Sequence, residues 1–392
     1  MDILIIGAGI AGLTLAGELE RSGHAVQVVE KAPGLRTEGY MIDFFGAGYD
    51  AAEHMGLLKE LEEIHYPISG LSIKRSDGST RYSVPYPKLR KLADGRHFNF
   101  MRGDLEHVLF KRLQGRVPVL YRATIQSFQQ DDHSVYAQLS NGSEWSGDLL
   151  VGADGIHSRV RKLVFGEPEG FIRSLKLWTA AFTFERTALY ADIQNSFDLL
   201  TEPGRQISIY PLTGDRIAVF FLLRSNKLNA RPTREEALHE LATRFGDMGW
   251  LVPDILQRSG TAADFYFDAV AQVEMPQWTK GRVALVGDAC HCVSLLAGQG
   301  ASLAMAGSYT LAQCLTENDA MTALTVYENS LKPQITEVQK SARKVASFFF
   351  PDTKFQLLLR DISMRASVVP VLQPFFKFKS IRLPAHSSKT YT

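Results

Sequence analysis

Asp2-Ile3-Leu4-Ile5-Ile6-Gly7-Ala8-Gly9-Ile10-Ala11-Gly12 sets an apolar strand directly against a G-x-G-x-x-G turn. Residues 2–6 read as a buried parallel strand, and residues 10–22 as a helix that Gly23 can end. A second strand, Ala25 to Val29, stops at Glu30, eighteen residues after Gly12. Strand, glycine turn, helix and a second strand ending on a carboxylate form the dinucleotide fingerprint. Gly7 permits the tight turn, Gly9 lets the backbone approach a pyrophosphate, and Gly12 lets helix and strand pack closely. The phosphates then meet a helix N-terminus, whose free N–H groups and dipole favour anions. Glu30 can accept hydrogen bonds from both hydroxyls of a ribose, which suits an adenosine without a 2′-phosphate.

The 392 residues allow one large domain or two smaller ones. A hydrophobic content of 45% and a charged content of 22% are ordinary for a globular protein. A formal net charge of +1 points to neither nucleic acid nor an acidic membrane as a partner of the whole chain. Three cysteines, Cys290, Cys292 and Cys314, are too few for a disulfide framework and fit a reducing compartment. No basic and apolar leader precedes the first strand, and no apolar run of about 20 residues suggests a spanning helix. A cytoplasmic monomer without stable membrane association is expected.

Further along, Tyr49 to Ile64 reads as one helix. Residues 70–75 and 80–84 read as a hairpin around Ser76-Asp77-Gly78-Ser79, and Asp104 to Gln114 as a helix. Residues 117–139 alternate like antiparallel strands, with a turn at Asn141-Gly142. Leu149 to Val151 and Val283 to Val286 read as buried strands, and 175–224 as a strand-rich stretch. Thr233 to Phe245 reads as a helix with a capping box, Thr233 as N-cap and Glu236 three residues on. Ala301 to Leu315 and Val326 to Phe350 read as helices. Pro333 is expected to break the second in two, and Pro351 to end it. The strands at 2–6, 149–151 and 283–286 lie far apart, so one sheet must collect them from discontinuous pieces.

Two of those strands carry motifs. Leu149-Leu150-Val151-Gly152-Ala153-Asp154-Gly155 leads into Ser158-Arg159-Val160-Arg161, with Asp154-Gly155 as a sharp turn and Ser158 as a cap. Arg159 and Arg161 can reach phosphates or hold neighbouring segments. Val283-Ala284-Leu285-Val286-Gly287-Asp288 leads to Gly298-Gln299-Gly300-Ala301-Ser302. Asp288 suits the hydroxyls of a ribityl chain. The Gly298/Gly300 loop feeds a helix whose N–H groups can face an electron-rich pyrimidine edge and stabilise a reduced flavin at N1 and its C2 carbonyl.

With these three motifs in order, the chain resembles the class A flavin monooxygenases of the para-hydroxybenzoate hydroxylase fold. Arg102-Gly103-Asp104-Leu105 matches the R-x-D-L helix start of that family, whose arginine lies near FAD. Asp264-Phe265-Tyr266-Phe267-Asp268, Trp278-Thr279-Lys280-Gly281-Arg282 and Phe245-Gly246-Asp247-Met248-Gly249-Trp250 resemble the branch of tetracycline-inactivating and polyketide-tailoring enzymes. Two departures lie near the expected ring: Cys292 and Leu295 where prolines are common, and Ser302 where asparagine is common.

The resemblance implies an α/β fold, a Rossmann-like FAD-binding domain with an inserted β-rich substrate domain and C-terminal helices. FAD binding falls to 1–70, 97–170 and 265–325, the substrate domain to 71–96 and 171–264, and a helical segment to 326–392. The implied cofactor residues are Gly7, Gly9, Ala11, Gly12, Glu30, Lys31, Arg102, Asp154, Asp288, Gly298, Gly300 and Ala301. The implied reaction takes NADPH (or NADH) and O2 to hydroxylate an aromatic, phenolic or enolic polycyclic small molecule through a flavin C4a-hydroperoxide. No second G-x-G-x-x-G is present, in keeping with a transient nicotinamide. The alternatives are a reductase or dehydrogenase of the same fold and a non-redox FAD-bound cyclase. No catalytic side chain is assigned.

Gly39-Tyr40-Met41-Ile42-Asp43 lies, by the same resemblance, where the chain passes the isoalloxazine, or is a plain loop-to-strand connection. Cys290-His291-Cys292 cannot readily converge on one tetrahedral ion, so no metal is expected. His291 reads as a polar loop residue, with acid–base work as the alternative. Arg224 reads as a surface or inter-strand arginine, or as a partner for an acidic substrate. The tail carries Phe348-Phe349-Phe350 and Phe375-Phe376 followed by Lys377, Lys379 and Arg382. It reads as a helix packed over both domains, with a gate or a peripheral membrane contact as alternatives.

Overall fold

The apolar run Asp2–Ile6 lies inside a six-stranded sheet of order Thr279–Lys280, Val283–Leu285, Leu149–Gly152, Asp2–Ile6, Ala25–Glu30 and Val119–Tyr121. The computed structural model describes residues 1–35, 40–66, 68–87, 95–113, 115–167, 170–226, 232–367 and 383. Every neighbouring pair in this sheet is parallel except the short Thr279–Lys280 edge. Ile3 to Ile6 are buried, as a parallel strand covered on both faces requires, and this explains the unbroken apolar spelling. Three sequence-distant strands thus stand side by side: Leu4 pairs with Leu150, and Val151 with Ala284.

Helix Ile10–Arg21 covers one face. It ends where Gly23 adopts φ +83°, with the N–H of His24 reaching back to the Leu19 carbonyl. Helix Gly300–Glu317 packs on it and crosses Ala47–His54. A Cβ at Gly48 would sit 2.4 Å from Ser302 Cα, so only glycine permits that crossing.

A second, seven-stranded sheet runs Tyr266–Val273, Ile172–Glu185, Arg216–Arg224, Arg205–Leu212, Ser196–Glu202, Gly70–Lys74 and Thr80–Pro85. Its core packs against helices Arg234–Phe245 and Val252–Ser259. Tyr266–Val273, in a segment grouped above with the FAD-binding pieces, is an edge strand of this sheet. A two-stranded ribbon, Met41–Phe45 with His97–Met101, reaches toward it, and the Met41 N–H donates to Tyr210 Oη at 2.8 Å.

The structure departs from expectation at four elements. Tyr49–Ile64 is two helices, Ala47–His54 and Leu58–Glu63, parted at Gly56 with φ +68°. Val119–Tyr121 joins the parallel sheet, and only Ile125–Gln130 and Val135–Leu139 pair antiparallel. Helix Arg102–Leu113 starts two residues before Asp104. Ala320–Phe349 is one helix with Pro333 inside it. Pro333 and Asn329 are exposed, so the carbonyl that the proline leaves unbonded faces water. Gly39 and the tail residues Phe375, Phe376, Lys377, Lys379 and Arg382 lie outside the described residues.

Candidate functional site

Strand Asp2–Ile6 hands the chain to Gly7 at φ +113°, where a Cβ would lie 2.4 Å from the Ala153 carbonyl oxygen. A Cβ at Gly12 would lie 1.9 Å from the Gly7 oxygen, so the turn closes only with glycine at both positions. Gly9 is the N-cap of helix Ile10–Arg21, and no side chain caps it. The first-turn N–H groups are therefore left to a ligand or solvent.

One cleft at this turn is lined by Gly7, Gly9, Glu30, Lys31, Arg102 and Asp154. Six of the expected cofactor residues thus come together. Ala11 and Gly12 serve packing behind the cleft: Ala11 Cβ lies 2.8 Å from where a Cβ at Gly287 would stand. The remaining four, Asp288, Gly298, Gly300 and Ala301, do not line this cleft.

Glu30 is preset by the backbone. Its Oε2 accepts from the Ala8 N–H and its Oε1 from the Ala32 N–H, each at 2.8 Å. Asp154 Oδ2 accepts from the N–H groups of Arg159 and Val160, at 2.7 and 3.1 Å. Asp154 Oδ1 is buried without a hydrogen-bond partner among the described residues, and burial pushes this carboxyl up. Ser158 caps the next helix by accepting from the Arg161 N–H at 2.9 Å. Arg161 is buried and donates to the carbonyls of Ala289 and Ile156, so it holds segments together.

Arg102 connects the two halves of the site. Its Nη2 meets Glu106 Oε1 at 2.7 Å, and its N–H donates to the Tyr40 carbonyl. Burial disfavours its charge, but Glu106, Tyr40 and Asp288 outweigh that and hold the guanidinium protonated. Asp288 follows Gly287, at φ +62°, beyond strand Val283–Leu285. Burial pushes its carboxyl up, against the pull of Arg102. Gly298 is left-handed at φ +63°, and nothing lies within 4 Å of where a Cβ at Gly300 would stand. Helix Gly300–Glu317 begins there with no side-chain cap. Ser302 Oγ accepts from the Phe45 N–H at 3.2 Å, so the serine ties the ribbon to this helix.

Sequence reasoning missed a cluster on that ribbon. Asp43 Oδ1 accepts from Tyr86 Oη at 2.7 Å, His97 Nε2 at 3.0 Å and Asn99 Nδ2 at 2.7 Å. Burial works against its charge, but these donors hold the carboxyl below the usual range. Its Oδ2 lies 3.9 Å from a Cβ built at Gly298, so the cluster borders the glycine loop. Glu106 was also missed, although its i+4 spacing from Arg102 is a helical ion-pair signal.

Other singled-out residues serve the fold. Burial lowers the His291 imidazole to about 4, and its Nε2 accepts from the Gly287 N–H at 3.2 Å. Cys290 Sγ donates to the Leu285 carbonyl and Cys292 Sγ to the Ala271 carbonyl. Arg224 forms a two-pronged pair with Asp352, at 2.7 and 3.2 Å, beside Phe350.

Comparison with known proteins agrees with this geometry. The family described as FAD binding domain matches residues 1–338. The chain belongs to this FAD-binding family. An uncharacterised Mycobacterium tuberculosis protein is 35% identical over 325 residues, covering 79% of this chain and 83% of that one. A flavin-dependent monooxygenase from an unknown prokaryotic organism is 34% identical over 358 residues, covering 89% of this chain and 90% of the relative. Tetracycline destructase Tet(55), a solved structure, superposes with a TM-score of 0.82 at 30% identity, covering 98% of each chain. The protein is thus an FAD-dependent monooxygenase of the class A kind with an α/β FAD-binding fold, as its motifs implied. Its site fits FAD on three observations: the uncapped helix start at Gly9, the preset Glu30 carboxylate and the orphaned Asp154 Oδ1.

Proposed function

We propose that this monooxygenase uses NAD(P)H and O2 to hydroxylate a flat, polycyclic phenolic or enolic molecule of tetracycline or polyketide type. The observation that carries the reading is a cluster of half-buried rings where the ribbon meets the seven-stranded sheet. Tyr40 stands with its ring centroid 5.6 Å from Phe220 and 6.1 Å from Tyr266, both on strands of the seven-stranded sheet. The same Tyr40 is held by Arg102, beside Asp288. Flat rings next to the flavin end of the site suit a flat substrate. The likeness to Tet(55) supports the same substrate class.

FAD, when bound, supplies the redox chemistry, taking hydride and activating O2. The protein's part is holding and shielding. The Gly7–Gly9 turn and its helix N-terminus take the pyrophosphate, with Arg102 and Lys31 adding positive charge nearby. Glu30 would accept hydrogen bonds from the ribose hydroxyls, Asp154 would stand toward the pyrophosphate, and Asp288 would take the ribityl chain. The Gly298 N–H is taken by the Leu295 carbonyl, so the N–H groups of Gln299, Gly300 and Ala301 would be the ones to meet the pyrimidine edge and stabilise negative charge there. The pieces 1–70, 97–170 and 265–325 supply these contacts, apart from strand Tyr266–Val273. Of the three rings, the β-rich piece 171–264 supplies Phe220, while Tyr40 and Tyr266 come from the pieces 1–70 and 265–325.

The test incubates the FAD-loaded protein with NADPH or NADH, O2 and a panel of polyphenols and tetracyclines. The expected result is a product heavier by one oxygen atom, with one nicotinamide oxidised per product. Nicotinamide oxidation that yields only hydrogen peroxide across the panel would overturn the substrate class.

A further inference from the structure

We propose that the outward face of helix Lys354–Ser367 seats this protein reversibly on an anionic lipid surface. The helix is inside-out. Phe355, Leu358, Leu359 and Ile362 fall at i, i+3, i+4 and i+7, a single stripe, and are 68%, 47%, 46% and 56% exposed. Its charged pair points the other way: Arg360 and Asp361 are each only 3% exposed. Asp361 accepts from Tyr82 Oη at 2.9 Å and pairs with Arg81 and Arg360. Arg365 lies 4.6 Å over the Tyr82 ring. These contacts fix the helix's rotation, so the stripe cannot roll inward to bury itself.

Charge decides what covers it. Residues 354–392 hold seven Lys and Arg against one Asp, a net +6. The preceding 353 residues therefore carry −5, and the overall +1 conceals a strong separation. An apolar stripe joined to a basic segment matches the chemistry of a helix lying in the headgroup layer of anionic lipid. A second copy docked stripe to stripe would set two like-charged helices, each net +2, face to face. No helix among the described residues is long and apolar enough to cross a membrane, so the contact lies in the surface plane. A weak, salt-sensitive contact of this kind is compatible with the expected absence of stable membrane association. The lipid-facing helix is anchored on hairpin strand Thr80–Pro85 at the edge of the substrate sheet.

The experiment is co-sedimentation of the full-length, FAD-loaded protein with vesicles rich in phosphatidylglycerol and with vesicles of phosphatidylcholine alone. Binding to the anionic vesicles is expected, weakened by added salt and much lower on the neutral ones. The Leu358→Glu, Leu359→Glu double variant should partition about tenfold or more weakly. Should it fail to fold, Ile362→Glu on the same stripe carries the comparison, with bound FAD absorbance as the folding check. Equal binding by variant and wild type, or no binding of wild type to anionic vesicles, overturns the proposal. So does a light-scattering mass of a dimer that the variant reduces to a monomer, which would assign the stripe to a second copy. Sedimentation needs no turnover, so its outcome is independent of the proposed reaction.

Discussion

Glu30 presents a carboxylate whose two oxygens are already oriented, Oε2 by the N–H of Ala8 and Oε1 by that of Ala32. Glu30→Gln must turn an NH2 toward one of these backbone donors, which spoils both the turn and the diol acceptor. A hydrogen bond to a charged group contributes about 1.5–3 kcal/mol. FAD should therefore bind the variant about 10- to 100-fold more weakly, as read by fluorescence titration of the apoprotein. An unchanged Kd would remove Glu30 from the ribose. His291 yields a pH prediction. Its buried imidazole titrates near 4, against 6.5 when unfolded. Between those values the unfolded chain holds the extra proton, so stability is complete above 6.5 and falls as pH drops toward 4. The full loss is about 3 kcal/mol. Urea midpoints across this window should fall for wild type and stay flatter for His291→Asn; parallel profiles would refute the assignment. Glu30 was legible because spacing along one β-α-β unit fixes it. The Asp43, Tyr86, His97 and Asn99 cluster was not, because it exists only once two ribbon strands pair in register and Tyr86 folds against them.

Thr233 shows an element whose boundary is written locally. Its hydroxyl accepts from the Glu236 N–H at 3.2 Å, and Glu236 accepts from the Thr233 N–H at 2.7 Å. Thr233→Ala should lower unfolding free energy by about 1 kcal/mol without altering FAD affinity. A denaturant titration beside a flavin titration checks both halves, and a matching loss of FAD affinity would mean that this helix supports the cofactor site. The cap was readable because its partner is three residues away, whereas the break at Gly56 was not, because the apolar spacing runs on across it. The unity of Ala320–Phe349 was not, since Pro333 is a breaker by its own chemistry and is tolerated only because its face of the helix is wet. Nor was the direction of Val119–Tyr121: three residues carry no sign of whether their neighbour runs parallel.

At the scale of the whole molecule, the parallel sheet and its three motifs could be read from apolar runs ending in glycine and carboxylate. The placing of the C-terminal helix could not. Its inward charges find partners some 280 residues earlier, and no pattern in 354–367 alone reveals which face they seek. That attachment rests on Asp361. Asp361→Ala deletes the acceptor of Tyr82 and the anion beside Arg81, and it leaves Arg360 buried without its counter-charge. Breaking a buried pair on one side costs about 3–5 kcal/mol. The loss should fall on the helix rather than on the sheet, because the helix's outward face is unpacked and gives little else to hold it. Hydrogen exchange should therefore rise across Lys354–Ser367 while Asp2–Ile6 keeps its protection. Asp361→Asn, which keeps the shape and one acceptor, should raise exchange less. Protection of the helix that survives Asp361→Ala would mean that Arg224–Asp352 and the Gly204–Pro351 backbone bond suffice to dock it. The apolar stripe would then owe its outward setting to the preceding turn instead of to the buried charges.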